Sequence, residues 1–437
     1  MADFDVIVVG AGIAGSTAAY KLASEGAEVL LVERASEPGA KNLSGGIFYG
    51  RVLSDMIPRF YEEAPFERKI VRNIVTFLEE GRAFSIDYSD RSFTGAAGPD
   101  DARPANGISV LRARFDPWLA EQAESVGASL VPGIRVDSPL MEDGVCRGVV
   151  AAGEEMTADC VIVADGINSK MTEALGQRHG FDIHDMGVGA KYVYQLDEQT
   201  INSRFKCASD EGVAYGIMGD CTEGVPGGGF LYTNKDTVSV GVVVHIDHLA
   251  ESSKTPYELL DHMVANPEIE AMLEGGKLVE YGAHMVAEGG RRNLPANLYG
   301  DGWLIVGDAA GFASNNGFNV RGMDFAAMSG LLAAETALEA KAKGAWSRDV
   351  LSVYRPKVDS SFIGKDMATY SGAPAFMKDG RVYTKLVGLM CGMFGDLYKQ
   401  DGTPKKNLLP TAAAALKASG LKFSQVGKLG FKAVKSL

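Results

Sequence analysis

The stretch Asp5-Val6-Ile7-Val8-Val9-Gly10-Ala11-Gly12-Ile13-Ala14-Gly15 decides the fold. A short, nearly continuous apolar run reads as a strand buried on both faces. It ends in a Gly-x-Gly-x-x-Gly turn and passes into a helical stretch, Ser16–Ser24. Val29–Val32 is a second run of the same kind, and Glu33 ends it. Each glycine has its own task. Gly10 permits the tight turn, Gly12 lets backbone N–H groups approach a pyrophosphate, and Gly15 allows the helix to pack closely on the strand. The helix N-terminus, framed by Ala11, Ile13 and Ala14, then favours the phosphate charge. Glu33 is placed to accept both hydroxyls of an adenosine ribose and would repel a 2′-phosphate. The unit therefore predicts a dinucleotide site unsuited to NADPH.

Two later elements repeat the strand-to-turn pattern. Val161-Ile162-Val163-Ala164 runs into Asp165-Gly166, and Trp303-Leu304-Ile305-Val306 runs into Gly307-Asp308-Ala309-Ala310-Gly311. An acid at the second turn suits a second sugar-like chain, the ribityl of a flavin. Between these strands the texture changes. Ile74–Tyr88 and Val188–Asp247 are strand-rich, with aromatics and turn glycines, and Val238–His245 is a valine run. The expected fold is α/β: a Rossmann-type nucleotide domain, discontinuous in sequence, with an inserted antiparallel β-sheet domain and a mostly helical C-terminal region. The nucleotide domain would occupy residues 1–73, 105–186 and 283–345, and the substrate domain 74–104 and 187–282. Residues 346–437 would form the helical region, after a clear helix at Phe325–Lys343.

The 437 residues include 53 glycines, above ordinary usage, and most sit inside apolar runs where turns or close backbone approach need them. The net charge of −13 is unevenly spread. From Lys399 to Leu437 there are eight lysines and one acid, leaving 35 basic and 55 acidic side chains elsewhere. An acidic body excludes nonspecific nucleic-acid binding. Cys146, Cys160, Cys207, Cys221 and Cys391 are scattered, without zinc or iron–sulfur spacing, and read as reduced thiols of a cytoplasmic chain. No HExxH occurs, so a metal site is not expected. Met1–Asp5 has no basic signal-peptide region, and no run approaches the ~20 apolar residues of a spanning helix.

The order GxGxxG…Glu33, Arg112-x-x-Phe115-Asp116, Asp165-Gly166 and Gly307-Asp308 resembles the glutathione-reductase-type flavoproteins related to p-hydroxybenzoate hydroxylase, which implies a glutathione-reductase-type FAD-binding Rossmann domain. Further segments narrow this likeness. They are Lys41-Asn42-Leu43-Ser44-Gly45-Gly46, Gly227–Tyr232, Ser239–Val243, Glu280–His284 with Glu288-Gly289-Gly290, and Asn319–Asp324. Together they resemble electron-transfer flavoprotein:quinone oxidoreductases, above all the FixC branch. The resemblance spans about residues 4 to 345. It implies FAD on Gly10, Gly12, Gly15, Glu33, Arg34, Arg112, Val136, Asp165, Gly166, Gly307 and Asp308. Lys41, Ser44, Gly45 and Gly46 would lie by the flavin, with Gly317 and Asn319 near its pyrimidine end. No catalytic side chain is expected, because FAD carries the redox chemistry. His284, Tyr232 and Tyr281 read as packing residues.

The implied activity is electron transfer from reduced electron-transfer flavoprotein to a quinone, directly or with a ferredoxin-like partner, with electron bifurcation left open. Single-chain quinone oxidoreductases carry a C-terminal iron–sulfur domain, but only Cys391 lies beyond position 222 here, so a cluster is expected on another chain. Prenyl reductases on this fold carry Tyr-x-Trp-x-Phe-Pro, yet no Trp lies between Trp118 and Trp303. An NAD(P)H-dependent flavin monooxygenase or prenyl reductase acting on an apolar molecule stays open as the alternative. So does a flavin-binding scaffold. The basic, apolar tail from Leu416 to Lys435 suits three readings: peripheral contact with the inner face of the cytoplasmic membrane, an acidic partner, or a solvated helix.

Overall fold

The structure, a computed structural model, describes residues 2–40, 46–95 and 104–437. At its centre β1 (Phe4–Val9) lies parallel to β2 (Val29–Glu33) on one side and to Glu154–Val163 on the other, with Val9 level with both Val32 and Val163. Ser129–Pro132 and Trp303–Ile305 extend the parallel sheet outward, and Tyr299–Gly300 closes one edge antiparallel. Val6–Val9 and Cys160–Val163 are buried on both faces, which is why these strands are unbroken apolar runs. The first half of Glu154–Val163 pairs instead with Val145–Ala151, and that strand pairs with Val136–Glu142, forming an antiparallel outlier.

The glycine turn opens directly into α1 (Ile13–Ser24), which packs against α2 (Arg112–Ser125) and α3 (Met323–Lys343). The α1–α3 crossing is close because both faces are small. A Cβ on Gly330 would stand 2.2 Å from the Ala14 carbonyl oxygen. Far-separated segments thus build one layer, as the discontinuous domain requires.

The second sheet runs Lys277–Ala287, Met186–Gln195, Thr237–His245, Gly227–Thr233, Glu211–Gly219, Phe66–Glu79, Ile108–Val110 and Gly46–Phe48. Arg82–Ser89 pairs with Phe66–Glu79 as a hairpin. Every pair is antiparallel except Glu211–Gly219 on Phe66–Glu79, which is parallel. Ala190, Leu231 and alternate valines of 238–244 bury one face against Leu259, Leu260 and Met263.

The Phe66–Glu79 strand starts well before Ile74 and crosses the 73/74 boundary drawn from sequence. Its first half, Glu67-Arg68-Lys69, is charged, which hides a buried strand. Arg68 is fully buried, and its guanidinium donates to Asn202 Oδ1 and to the carbonyls of Asn234, Ala208, Glu211 and Lys235. Lys277–Ala287 likewise runs past the 282/283 boundary.

Beyond residue 346 the described chain is helical. It includes α4 (Lys385–Tyr398), α5 (Leu408–Ala418) and α6 (Phe423–Ser436). Phe394 of α4 stacks on Phe84 at 4.4 Å between centroids. Gly420, at φ +70°, breaks the tail between α5 and α6. Among the described residues no helix is long and apolar enough to cross a membrane.

Candidate functional site

The glycine turn sits where three strand ends converge. Gly10 has φ +105°, and a Cβ there would lie 2.4 Å from the Ala164 carbonyl oxygen; on Gly15 it would lie 1.9 Å from that of Gly10. No side chain fits at either position. Gly12 begins α1 in extended geometry without a side-chain cap, so the first-turn N–H groups are left to an outside acceptor. Glu33, ending β2, accepts from the Ala11 N–H at 2.9 Å through Oε2 and from the Ala35 N–H at 2.8 Å through Oε1. Its carboxylate is thereby fixed beside the turn, with lone pairs left for hydroxyl donors. The Ile134 N–H donates to the Glu33 carbonyl, drawing the segment that leads to Val136 past exposed Arg34.

Asp165 and Gly166 abut the same turn, since the Asp165 Cα would lie 3.4 Å from a Cβ on Gly10. Asp165 Oδ2 accepts from the Met171 N–H, while buried Oδ1 has no hydrogen-bond partner among the described residues. Burial pushes this carboxyl up to about 6. Gly307 turns at φ +59° against Ala14, which brings the Gly-Asp turn onto the start of α1. Asp308 lies deep in the chain yet half-exposed, so it lines an internal recess. Burial raises its carboxyl, with the nearby Arg112 charge opposing. Among the described residues its carboxylate accepts no hydrogen bond, which suits a bound hydroxyl chain. Arg112, also deep, grips Asp116 through two bonds of 2.6 Å and lies over Gly12. Burial would lower its basicity, but Asp116 outweighs that.

A second group lies at the start of α3. The Tyr49 hydroxyl donates to Asn319 Oδ1 at 2.8 Å, joining the Gly46–Phe48 strand to the loop before α3. Met323 Cε lies 3.1 Å from where a Cβ on Gly46 would stand. Asn316 Oδ1 receives the Phe318 and Asn319 N–H groups, tightening the loop around Gly317, whose φ is +81°. Leu437 and Met377 pack against Gly317. Lys41, Ser44 and Gly45 lie outside the described residues.

The helix-free face of the second sheet carries Lys191, Tyr232 and His284. His284 on that face is close enough to Asp308 for its charge to act on the carboxyl. His284 Nδ1 bonds the Met285 carbonyl, and buried Tyr232 stacks on Phe230. Tyr281 is exposed and meets Tyr257 edge-on. Two residues given no role from the sequence stand out here. Lys191 is 1% exposed with no hydrogen-bond partner for its ammonium among the described residues, and burial pushes it down to about 7. Glu288 lies deep yet partly exposed beside Asn315, and burial pushes it up to about 7. A lysine within an apolar strand was the available signal for the first, and the Glu-Gly-Gly segment for the second.

Among the described residues no group of three or more His, Cys, Asp or Glu could hold a metal ion. The donor set around the recess instead suits FAD: a bare helix N-terminus, an anchored carboxylate, an arginine and a second, unengaged carboxylate.

Comparison with known proteins agrees. The family model described as FAD dependent oxidoreductase matches residues 5–106, and that described as ETF-QO, ubiquinone-binding matches 186–286. Protein FixC of Salmonella typhi is 42% identical over 400 residues, covering 92% of this chain and 91% of that protein. The probable electron transfer flavoprotein-quinone oxidoreductase YdiS of Escherichia coli strain K12 is 40% identical over 418 residues, 96% of each. A geranylgeranyl bacteriochlorophyll reductase-like structure from Thermoplasma acidophilum superposes with a TM-score of 0.69 at 20% identity, covering 97% of this chain and 98% of that one. The flavin-dependent brominase Bmp2 gives 0.60 at 16%, covering 95% and 99%. These two likenesses bear on the fold alone.

Proposed function

The chain belongs to the family of FixC and the electron transfer flavoprotein-quinone oxidoreductases, and we propose that it passes electrons from reduced electron transfer flavoprotein through FAD to a quinone. It is an FAD-dependent oxidoreductase. The observation that carries the route is a coincidence of place. The ubiquinone-binding match, residues 186–286, includes His284, whose charge acts on the Asp308 carboxyl.

Bound FAD supplies the reversible electron storage. The chain's part is to bind, orient and enclose. Gly10–Gly15 and the α1 N-terminus take the pyrophosphate, and Arg112, held rigid by Asp116, adds a positive charge over Gly12. Glu33 takes the adenosine ribose, with Arg34 and Val136 flanking the adenine. Asp308 receives the ribityl hydroxyls, and Asp165-Gly166 closes the turn beside the phosphates. Gly46, Gly317 and Asn319 would border the ring.

Two finer assignments accompany this. A ferredoxin-like partner carries any iron–sulfur centre, since the five cysteines are dispersed and four of them are buried. The tail leads the chain to a membrane surface where quinone dissolves. Phe423, Phe431 and Val434 of α6 are exposed at helical spacing beside Lys428 and Lys435, and Leu408 and Leu409 are exposed beside Lys405 and Lys406. The acidic remainder would be repelled by anionic lipid, so approach is through the tail.

The test is anaerobic reduction of the purified yellow protein with each donor in turn. Bleaching by reduced electron transfer flavoprotein and reoxidation by a quinone analogue support the route. Bleaching by NADPH with oxygen uptake would favour a monooxygenase instead.

A further inference from the structure

Glu288 directly follows the Lys277–Ala287 strand, and its N–H donates to the Asp185 carbonyl at 2.8 Å. Its side chain lies over Gly187, where a Cβ would meet Cγ at 3.1 Å. One oxygen, Oε2, accepts from Asn315 Nδ2 at 3.4 Å. The other accepts no hydrogen bond among the described residues, and the residue is partly exposed. Asn315 itself receives the Gly317 N–H, so Glu288 stands between the quinone-binding sheet and the loop assigned to the flavin ring.

The groups around it leave the carboxyl free to handle protons. Asp185 is engaged by Arg292 in a bidentate pair. His284, on the same strand face, bonds the Met285 carbonyl. Tyr383, within electrostatic reach from the C-terminal region, donates to the Met377 carbonyl. Lys191, on the neighbouring strand, is set off along the sheet beside Gly282. Among the described residues no cation pairs with Glu288.

Quinone reduction needs protons as well as electrons: quinone plus two electrons and two protons gives quinol. We propose that Glu288 is the proton donor to the quinone. Two electrons arrive from electron transfer flavoprotein by way of FAD. The Glu288 carboxyl gives its proton to one quinone oxygen and becomes a carboxylate, which regains a proton from water entering the recess. The second oxygen takes its proton from water. Deep burial keeps the carboxyl protonated up to about neutral pH, where most carboxyls are ionised.

The inference rests on the quinone reading, and the experiment separates the two. Flavin in the holoprotein is reduced anaerobically, then reoxidised either by a water-soluble quinone analogue or by ferricyanide, which takes electrons without protons. In the wild type the quinone rate should fall as pH rises through about 7, while the ferricyanide rate stays flat. Glu288→Gln keeps the shape and the acceptor for Asn315. It should slow quinone reduction at least tenfold and remove that pH limb, leaving ferricyanide within twofold and FAD content unchanged. Glu288→Asp should restore part of the limb. Equal loss with both acceptors, or an unaltered pH profile in Glu288→Gln, overturns the assignment. A wild type oxidised by ferricyanide but not by the quinone analogue overturns the quinone reading itself.

Discussion

The Arg112 guanidinium lies along Gly12, 3.7 Å from where a Cβ on that glycine would stand, while Asp116 one helical turn on holds it by both nitrogens. The pair stations a positive charge at the mouth of α1 and keeps it from folding back into solvent. Arg112→Ala removes that charge, so FAD affinity should fall about tenfold or more. Arg112→Lys should recover only part of it, because an ammonium cannot bond both Asp116 oxygens side by side. Fluorescence titration of the deflavinated variants with FAD measures both.

The crossing of α1 and α3 makes a prediction about stability rather than chemistry. Gly330→Ala places a methyl 2.2 Å from the Ala14 carbonyl oxygen, so the helices must separate. A loss of about 1–3 kcal/mol is expected, as for other overpacked sites. Thermal unfolding should show a lowered midpoint. FAD content should fall as well, because Ala14 belongs to the turn under the phosphates.

The nucleotide half was largely legible in the sequence because its strands are buried on both faces, and such strands leave unbroken apolar runs. Phe66–Lys69 was not legible, since Arg68 is satisfied by carbonyls from segments far along the chain. The nearness of Arg112 to Asp308, and of Glu288 to Asn315, is likewise a product of tertiary packing. Motif order suggested that Asp308 and Gly10 share a ligand. Only the fold shows that Gly307 packs on Ala14 to bring them together.

Lys191 stands between Gly241 and Gly282 with its ammonium buried and without a hydrogen-bond partner among the described residues. Its folded value of about 7 lies below the ordinary 10.5, so folding favours the neutral amine. From about pH 7 to 10 the unfolded chain holds the extra proton, and stability rises with pH across that window. Below pH 7 the full penalty remains, of the order of a few kcal/mol. Lys191→Met should therefore be more stable than wild type at pH 6.5, with the gap narrowing by pH 9. Urea unfolding at the two pH values reads this directly; a gap that widens with pH would refute it.

The outward half of α6 carries the last prediction. Val426, Leu429 and Ala433 pack inward with Phe376 and Leu421, while Phe423, Phe431 and Val434 face outward. A helix anchored by one apolar edge and exposing another, with lysines alongside, fits the lipid interface better than bulk water. Replacing Phe423, Phe431 and Val434 together by Ser leaves the anchoring edge intact. Partition onto vesicles containing anionic lipid should fall at least tenfold, while turnover with a water-soluble quinone analogue stays within twofold. Raising salt should weaken wild-type binding, because the lysine contribution is screened. Equal vesicle binding by the triple variant and the wild type would show that the outward face of α6 does not meet the membrane.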